Sequence, residues 1–348
     1  RTINGDEVSS SYPAGTAQYH INNIIAYSFI QYFYATRDIS FMLTYGFEVL
    51  YQTAIVFLEI GSMVDGKFHI NDVTGPDEYS AIVNDNYYTN KMTQFHMNYV
   101  VDFYKNHYKD ISIDVDEKLI ERLDNAAKNM VLLYDEKRNI NVQDDAFLQK
   151  IDVDMNDLKR PLLLNYHPLT IYRMKVLKQA DVILAHYLLD DESKSIMKDS
   201  IEFYEKITTH DSSLSKCIYS IMHARLGDKE TSKKYFNDQL VIDIDYTLGN
   251  TSYGLHIANM GGTYLNILHG FLGLRLTKDG LKISPYLPDD LSGYNLNFTY
   301  QNCKISILVE DQITIQSTNP IDILVHDKLY KVTKEVKMCR STEVVKRN

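Results

Sequence analysis

The segment Phe68-His-Ile-Asn-Asp-Val-Thr-Gly-Pro-Asp-Glu78-Tyr-Ser-Ala-Ile-Val-Asn-Asp-Asn-Tyr-Tyr-Thr-Asn90 leads from a strand-like run, through a turn, into the start of a long helical pattern. Gly75 permits unusual backbone angles and Pro76 fixes its own φ, so the turn holds the following residues in one orientation. Glu78 is the carboxylic acid that this turn presents. Because a positioned carboxyl group is suited to donate a proton to a leaving oxygen, the segment predicts a catalytic-acid loop between a hairpin and a helix.

The Gly-Pro-Asp-Glu sequence at 75–78 also has a purely structural interpretation. It is then an ordinary surface turn, with Asp85 capping the helix that follows. The residues around the acid favour the catalytic interpretation, because amide donors and flat aromatic rings bind carbohydrate well. These residues are Tyr79, Asn84, Asn86, Tyr87, Tyr88 and Asn90.

Composition limits the size of the core and the classes of partner. The chain has 348 residues, 45% of them hydrophobic, which is enough for one large domain or two of moderate size. Its net charge is −10, and basic residues cluster only in the tail after Lys328, so we expect no nucleic-acid partner. No apolar run approaches the roughly 20 residues that span a bilayer, so we expect no membrane partner either.

The three cysteines, Cys217, Cys303 and Cys339, are scattered and odd in number. This pattern predicts reduced thiols and a cytoplasmic location, since a disulfide framework needs paired cysteines. The chain starts at Arg1 without methionine, and we expect it to begin inside a longer protein.

Apolar residues recur at spacings of three and four through most of the chain before residue 273, which predicts helices. The expected helices lie near 18–36, 40–61, 85–107, 116–133, 170–190, 193–206, 214–226, 228–240 and 255–272. A short hairpin is predicted around 64–70, and the polar stretch 135–167 is too irregular for helix.

From Gly273 onward the apolar period changes to the alternation of half-buried strands. Consecutive helices joined by short links favour antiparallel helical hairpins. The sequence therefore predicts a mainly α protein, with most of a helical toroid over residues 1–272 and a small β-domain over residues 273–348.

The segment Thr208-Thr-His-Asp-Ser-Ser-Leu-Ser215 places hydroxyl groups and a histidine just before the helix predicted at 214–226. Free backbone N–H groups and the helix dipole favour an anion at such a point, so the segment is a candidate phosphate site. The alternative is that one of the serines simply caps the helix.

The segment Gly254-Leu-His-Ile-Ala-Asn-Met-Gly-Gly-Thr263 brings His256 and two adjacent glycines to the start of the last predicted helix. Backbone without Cβ atoms can approach a ligand closely. Tight helix packing for the glycines and a core position for His256 are the alternatives. The sequence contains neither His-Glu-x-x-His nor Gly-x-x-x-x-Gly-Lys, so we expect one proton donor and one anion without a metal. Phosphorolysis of a glycoside needs those two.

Together with other motifs, these segments resemble a known family, the inverting α-glucoside phosphorylases of glycoside hydrolase family 65. This family includes maltose, trehalose and kojibiose phosphorylases. The resemblance covers nearly the whole chain, and its motifs occur in the family's order. They are Arg1-Thr-Ile-Asn-Gly-Asp-Glu7, Pro13-Ala-Gly-Thr-Ala-Gln-Tyr-His20, Thr74-Gly-Pro-Asp-Glu-Tyr79, Lys178-Gln-Ala-Asp-Val182, Thr209-His-Asp-Ser-Ser-Leu-Ser215 and Gly254-Leu-His-Ile-Ala258.

The resemblance implies an (α/α)6 toroid whose N-terminal helices are missing from this chain, followed by a small C-terminal antiparallel β-sandwich. Asp6 stands where the family usually has Glu. The 13–20 motif looks more like trehalose or kojibiose phosphorylases than maltose phosphorylase, although the sequence leaves the disaccharide undecided among trehalose, kojibiose, nigerose and maltose.

The resemblance also implies a role for each matching residue. Glu78 corresponds to the general acid, and Lys178 and Gln179 to residues that hold the glucosyl unit. The phosphate pocket corresponds to Ser212, Ser213 and His256, with Gly261 and Gly262 nearby. Without the resemblance, Lys178 and Gln179 read as the solvated start of an amphipathic helix.

The implied reaction is phosphorolysis of an α-linked glucose disaccharide with inversion, which gives β-glucose 1-phosphate. Inorganic phosphate is the co-substrate, no cofactor is implied, and a homodimer follows by analogy alone. Burial is expected to keep Glu78 protonated. The alternatives are an inverting α-glucoside hydrolase, such as a trehalase, and a truncated carbohydrate-binding module without turnover.

Overall fold

The computed structural model describes residues 12–245 and 254–339. The motif at 1–7 therefore lies outside the described residues, as does the end of the lysine-rich tail. The described chain divides into two compact units. The first comprises Ile39–Tyr219 with the described residues up to Phe29, and the second comprises Ile30–Asp38 with the described residues from Ser220 onward.

The first unit is mainly helical. The longer helices of this unit bury apolar residues in its core, and some, such as the helix Glu117–Lys128, bury them on one side only. They are α2 (Ile21–Thr36, which continues into the second unit), α4 (Phe47–Ile60), α5 (Tyr87–His107), α6 (Glu117–Lys128), α9 (Val182–Leu189), α10 (Lys194–Glu205) and α11 (Ser215–Leu226, also shared). Shorter helices are α1 (Tyr12–Thr16), α3 (Ile39–Phe41), α7 (Leu162–Asn165) and α8 (Pro168–Ile171).

The continuous helical segment Ile39–Ile60 is long and apolar enough to cross a membrane by length and composition. The expectation that no apolar run approaches that length is therefore wrong. Residues of α4 such as Phe47, Leu50 and Phe57 are fully buried in the first unit. A buried core helix passes the same test of length and composition, so this segment is weak evidence for a membrane span.

The hairpin predicted around 64–70 is confirmed as strands β1 (Gly61–Val64) and β2 (Lys67–Ile70). Beyond it, the N–H groups of Val73 and Val83 each donate to the other residue's carbonyl, at 2.9 and 2.8 Å. This paired contact closes the loop 74–82 at its base. The loop that carries Glu78 is therefore anchored at both ends before α5 begins.

Helix α5 begins at Tyr87, and its N-cap is Asn86 rather than Asp85. The Asn86 side chain accepts hydrogen bonds from the backbone N–H of Thr89 at 2.9 Å and from its hydroxyl at 2.8 Å. Asp85 instead accepts hydrogen bonds from the Ile70 N–H and the Asn90 amide. The predicted capping role of Asp85 is thus wrong, because its carboxylate faces back toward the hairpin.

Two further predictions for this unit are corrected. The stretch 135–167 is not free of helix, since it contains a 3-10 turn at Phe147–Gln149 and α7. The helix predicted over 170–190 does not start until Val182. The apolar residues before it, Val176 and Leu177, are buried in an extended segment instead. A short strand pair, β3 (Tyr134–Asp135) with β4 (Ile140–Asn141), follows α6.

The second unit contains α12 (Lys229–Leu240), α13 (Ile257–Leu265) with a π-helical continuation at Asn266–Phe271, and two four-stranded sheets. The sheet orders are β11-β10-β6-β5 and β12-β9-β8-β7. The strands are β5 (Arg275–Thr277), β6 (Gly280–Ile283), β7 (Tyr294–Tyr300), β8 (Cys303–Val309), β9 (Gln312–Ser317), β10 (Ile321–Val325), β11 (Lys328–Val332) and β12 (Glu335–Cys339).

Both sheets of this unit contribute to one hydrophobic cluster, which includes Leu281, Ile307, Ile313 and Ile323. The alternation predicted from Gly273 onward is thus confirmed as strands with one buried face. The pairing is antiparallel except between β6 and β10, which run parallel. The fully antiparallel expectation is therefore wrong at that one pair. The six-hairpin toroid and the division at residue 273 stay predictions.

Candidate active site

Glu78 lies in the loop closed by Val73 and Val83, between two buried residues. Asp77 and Tyr79 have no exposed surface, whereas the Glu78 side chain is 42% exposed. The Lys178 ammonium contacts Glu78 Oε2. The expected burial of Glu78 is therefore wrong: its carboxylate reaches solvent and a neighbouring cation, although the residues on both sides of it, 73–77 and 79–81, are buried.

The Asp77 carboxylate anchors this loop from the inside. Its Oδ1 accepts hydrogen bonds from the N–H of Lys178 at 2.7 Å and from the N–H of Tyr79 at 3.3 Å. Its Oδ2 accepts a hydrogen bond from the Gln143 side-chain amide at 3.0 Å. Three donors from three parts of the chain thus meet on one buried carboxylate, which offsets part of its desolvation.

A second buried carboxylate, Asp181, lies directly behind the loop. Asp77 donates its backbone N–H to Asp181 Oδ2 at 3.4 Å. The Asn86 side-chain amide donates to both Asp181 oxygens, at 3.1 Å each. Since Asn86 also caps α5, the start of that helix and the acid loop share one polar network.

The network changes the protonation of both carboxyl groups. Burial raises the pKa of Asp77 to about 6, although its hydrogen bonds and the Lys150 charge act in the opposite direction. Burial, reinforced by the nearby Asp77 charge, raises the pKa of Asp181 well above its usual range. The raised pKa favours the neutral form of Asp181, which lessens the repulsion between two adjacent buried carboxylates.

The raised pKa of Asp77 makes stability depend on pH. Between about pH 4 and pH 6 the folded chain keeps a proton that the unfolded chain releases. The contribution of Asp77 to the free energy of unfolding is therefore full below pH 4 and falls as pH rises through 6, by about 2 to 3 kcal/mol. Urea unfolding from pH 4 to 7 should show this fall in wild type and a smaller fall in Asp77→Asn.

Asp135 provides a control of opposite sign. The Arg138 backbone N–H holds the pKa of Asp135 below its usual value, so the stabilising contribution of Asp135 is lost as pH falls. Asp135→Asn should leave the fall between pH 4 and 6 unchanged. An identical pH dependence in wild type and Asp77→Asn would contradict the assignment to Asp77.

Lys178 and Gln179 lie in the segment that precedes α9, not on a helix. The alternative of a solvated helix start is therefore wrong. The Gln179 side-chain amide donates to the Pro76 carbonyl at 2.6 Å, and Lys178 contacts Glu78 as described above. Both predicted sugar-binding residues are thus brought to the acid loop.

A third segment lies beside these two. The Leu177 N–H donates to the Ile207 carbonyl at 2.9 Å, and the Thr209 N–H donates to the Leu177 carbonyl at 2.8 Å. The Tyr79 hydroxyl donates to Asp211 Oδ2 at 2.8 Å. The residue after Glu78 is therefore hydrogen-bonded to the residue before Ser212, which joins the acid loop to the candidate phosphate segment.

The two serines of that segment differ in their contacts. Ser212 Oγ accepts a hydrogen bond from the Leu214 N–H at 3.1 Å, one turn before α11, so the capping alternative partly describes Ser212. The Ser213 hydroxyl, which is partly exposed, has no hydrogen-bond partner among residues 12–245 and 254–339. Ser213 is thus available to a ligand without losing an internal bond.

His256 and the two glycines belong to the second unit. The His256 N–H donates to Asp243 Oδ2 at 3.0 Å, and its Nδ1 contacts Asp243 Oδ1. His256 thus has the internal partner that the alternative of a satisfied core histidine expects, although its side chain is 20% exposed and not fully buried. A Cβ atom on Gly261 would meet no atom within 4 Å, so tight packing does not require glycine there, whereas Gly262 is buried. The role of these residues in phosphate binding stays a prediction.

Several residues expected to contact sugar are instead part of the scaffold. They are at most 1% exposed, so they cannot reach a ligand outside the loop: Tyr79, Asn86, Tyr87, Tyr88 and Asn90. The anchoring roles of Asp77, Asp181 and Asp211 were not predicted from the sequence. Each lies inside one of the quoted motifs, and that proximity is the only signal in the sequence. No group of three or more potential metal ligands occurs in the described parts of the chain.

The chain matches two family models in succession. Residues 1–265 match the glycosyl hydrolase family 65 central catalytic domain, and residues 274–332 match the C-terminal domain of the same family.

Known relatives agree with these matches. The chain is 44% identical over 351 residues to an alpha,alpha-trehalose phosphorylase of Geobacillus stearothermophilus, a match that covers 96% of this chain and 46% of that protein. It is 31% identical over 331 residues to a kojibiose phosphorylase of Halothermothrix orenii, covering 90% of this chain and 42% of that protein.

A solved structure from the human microbiome, described as a kojibiose phosphorylase, has a TM-score of 0.88 and 27% sequence identity, covering 97% of this chain and 47% of the other. The chain thus spans a little under half the length of these relatives. The two domain matches and the identity to these relatives show that the chain belongs to the enzymes of glycosyl hydrolase family 65.

Proposed function

We propose that this chain is the catalytic part of an inverting phosphorylase that cleaves an α-linked glucose disaccharide with inorganic phosphate. The observation that carries the proposal is the hydrogen bond from Tyr79 to Asp211. It joins the loop of a solvent-reaching carboxylic acid, Glu78, to the segment of two serines, Ser212 and Ser213. A proton donor and an anion site are the two elements that phosphorolysis needs.

In the proposed reaction Glu78 donates its proton to the glycosidic oxygen, and the bond between that oxygen and the anomeric carbon breaks. A phosphate oxygen attacks the anomeric carbon from the opposite face. The configuration inverts, so an α-glucoside gives β-glucose 1-phosphate, and the released sugar carries the proton from Glu78. Lys178 and Gln179, beside the acid, are placed to donate hydrogen bonds to the glucosyl hydroxyl groups.

The contacts of Asp211 weigh against the hydrolase alternative. An inverting hydrolase uses a second carboxylate, about 6.5 to 9.5 Å from the acid, to activate water. Asp211 is the acidic residue next to the serines in the chain. Its Oδ2 already accepts hydrogen bonds from the Tyr79 hydroxyl and from the Leu162 N–H at 3.1 Å. A carboxylate oxygen with two internal donors is a scaffold acceptor rather than a base facing water.

Replacing Ser213 with Ala tests the phosphate site without removing an internal hydrogen bond. We expect the KM for phosphate to rise about tenfold, the loss of one hydrogen bond to a charged ligand. The KM for the disaccharide should change less than twofold. Ser306→Ala, in β8 of the second unit, removes a hydroxyl that, among the described residues, bonds only to the exposed Asn295 side chain; it is the control for loss of a serine hydroxyl and should change neither constant. An unchanged KM for phosphate in Ser213→Ala would remove Ser213 from the phosphate site.

The names of the relatives set the order in which substrates are tested. The relative at 44% identity is a trehalose phosphorylase, so we propose trehalose first, followed by kojibiose, nigerose and maltose. The longest native form of the protein would be incubated with each sugar, with and without phosphate, and glucose and glucose 1-phosphate would be quantified.

We expect glucose 1-phosphate to form only when phosphate is present. Free glucose in both arms, without glucose 1-phosphate, would indicate the hydrolase. Sugar binding without any product would indicate the binding module. We also propose that no cofactor other than the phosphate co-substrate is needed. The cytoplasmic location and the homodimer remain predictions.

A further inference from the structure

We propose that Asp77 is a positioning residue for the general acid, because its buried carboxylate closes the turn that contains Glu78 and fixes that turn to the segment of Lys178. The inference rests on the proposed function, in which Glu78 is the acid. Asp77 itself has no exposed surface, so it does not touch the substrate.

Asp77 first closes the turn that contains Glu78. Asp77 Oδ1 accepts the N–H of Tyr79, two residues later in the chain. This side-chain bond forms a ring that encloses the backbone of Glu78, in the manner of an Asx turn. The direction in which the Glu78 side chain leaves the backbone is therefore set by the Asp77 carboxylate.

Asp77 also holds the neighbouring segment that contains Lys178. The same oxygen of Asp77 accepts the N–H of Lys178 at 2.7 Å, while the ammonium group of Lys178 contacts Glu78. Lys178 is thus held by Asp77 at its backbone and meets Glu78 at its tip. One carboxylate oxygen thereby fixes both the acid and its cationic neighbour.

Asp77 is itself anchored by two further hydrogen bonds. Its second oxygen accepts the Gln143 amide at 3.0 Å, and its N–H donates to Asp181 at 3.4 Å. Asp77 cannot turn toward solvent without breaking these bonds. A rigid, fully bonded group behind the acid is what precise placement of a catalytic residue requires.

If Asp77 positions the acid, its loss should matter most for substrates whose leaving group needs a proton. Proton donation matters when the leaving group is a sugar alkoxide, whereas fluoride leaves as a stable anion and needs far less help. With α-glucosyl fluoride, phosphate forms the new bond to the anomeric carbon while the carbon–fluorine bond breaks and fluoride departs with the electron pair. A variant that only misplaces Glu78 should therefore retain turnover of the fluoride.

The experiment compares kcat for the cleaved disaccharide and for α-glucosyl fluoride, each with inorganic phosphate. In Asp77→Ala we expect kcat for the disaccharide to fall about 100-fold, as for a catalytic group displaced by about 1 Å. The fluoride rate should fall only about tenfold, because the variant removes the bond from the Lys178 N–H to Asp77 but keeps the Lys178 side chain that is predicted to hold the glucosyl unit. Asp77→Asn keeps an oxygen that can accept the same N–H bonds, and the Gln143 amide can reverse because its oxygen has no partner among the described residues. We expect it to restore the disaccharide rate to within tenfold of wild type.

Asp85→Ala is the control for loss of a buried carboxylate close to the acid loop, between that loop and α5. Asp85 accepts hydrogen bonds from Ile70, His69 and Asn90 and not from segment 177–181. The Asp85→Ala variant should leave the ratio of the disaccharide rate to the fluoride rate unchanged, since a loss of folded protein lowers both rates equally. Equal falls for both substrates in Asp77→Ala would overturn the positioning role. Full disaccharide turnover in Glu78→Gln would instead overturn the proposed function itself.

Discussion

Replacing Glu78 with Gln is expected to lower kcat for phosphorolysis of the disaccharide by about 1,000-fold or more. The substitution keeps the size of the side chain and removes the proton, and general-acid catalysis contributes roughly 100- to 10,000-fold. The free energy of unfolding should change by less than about 0.5 kcal/mol, because the carboxylate is 42% exposed. Steady-state kinetics and urea unfolding of the same preparation measure both effects.

The α-glucosyl fluoride reaction separates the acid from a binding role. Glu78→Gln should retain most of its activity toward the fluoride, whereas Lys178→Ala, which removes a predicted glucosyl contact, should lose activity toward both substrates. Glu121→Gln, an exposed position on α6, controls for the chemical change and should behave as wild type. Disaccharide turnover within tenfold of wild type in Glu78→Gln would remove this residue from the acid role.

Gly75→Ala is expected to have the largest effect on stability. A Cβ atom at this position would overlap Asp181 Oδ2 and lie 2.6 and 2.7 Å from the two polar atoms of the Asn86 amide. The methyl group must displace a buried carboxylate or the residue that caps α5. Overpacking and weakened buried hydrogen bonds together predict a loss of about 2 to 4 kcal/mol in the free energy of unfolding. The kcat should fall as well, since the acid loop moves.

Gly66→Ala is the matched control in the nearby hairpin. A Cβ atom on Gly66 would meet nothing within 4 Å, but the residue has a φ of +77°. The expected cost is about 1 kcal/mol, from backbone strain alone, and kcat should not change. Both variants are measured by urea unfolding at pH 7. If Gly75→Ala is no less stable than Gly66→Ala, the acid loop does not pack against Asp181 and Asn86 as described.

Local features of the sequence predicted the position of the acid loop and most of the helices. Gly75 and Pro76 restrict their own backbone, and the 3.6-residue period of α4 and α5 is visible without any tertiary contact. The hairpin before the loop follows from Asp65-Gly66 between two short apolar runs. These predictions succeed because each depends on residues that are close together in the chain.

The polar network behind the acid could not be predicted in the same way. Asp77 meets the Lys178 N–H across 101 residues, and Asn86 meets Asp181 across 95. No local pattern encodes such pairs, so Asp77 resembled an ordinary turn residue. The same reason explains why Tyr79 was assigned to sugar binding: its hydroxyl is used by Asp211, 132 residues away.

The start of α9 was predicted wrongly for a related reason. The apolar residues Val176 and Leu177 fit a helical period, but they are buried in an extended segment whose N–H and carbonyl groups bond to residues 207–209. Tertiary contacts thus overrode the local period. That extended segment is what delivers Lys178 and Gln179 to Glu78.

Proton NMR of the reaction with trehalose and inorganic phosphate, recorded from the first minutes onward, tests the proposed inversion by phosphate directly. The anomeric proton of glucose 1-phosphate distinguishes the two configurations, and the phosphate ester at the anomeric carbon prevents them from interconverting. We predict β-glucose 1-phosphate, formed in proportion to the phosphate consumed and together with one glucose per turnover. The α-anomer would contradict single displacement by phosphate opposite Glu78, and glucose alone would contradict phosphorolysis.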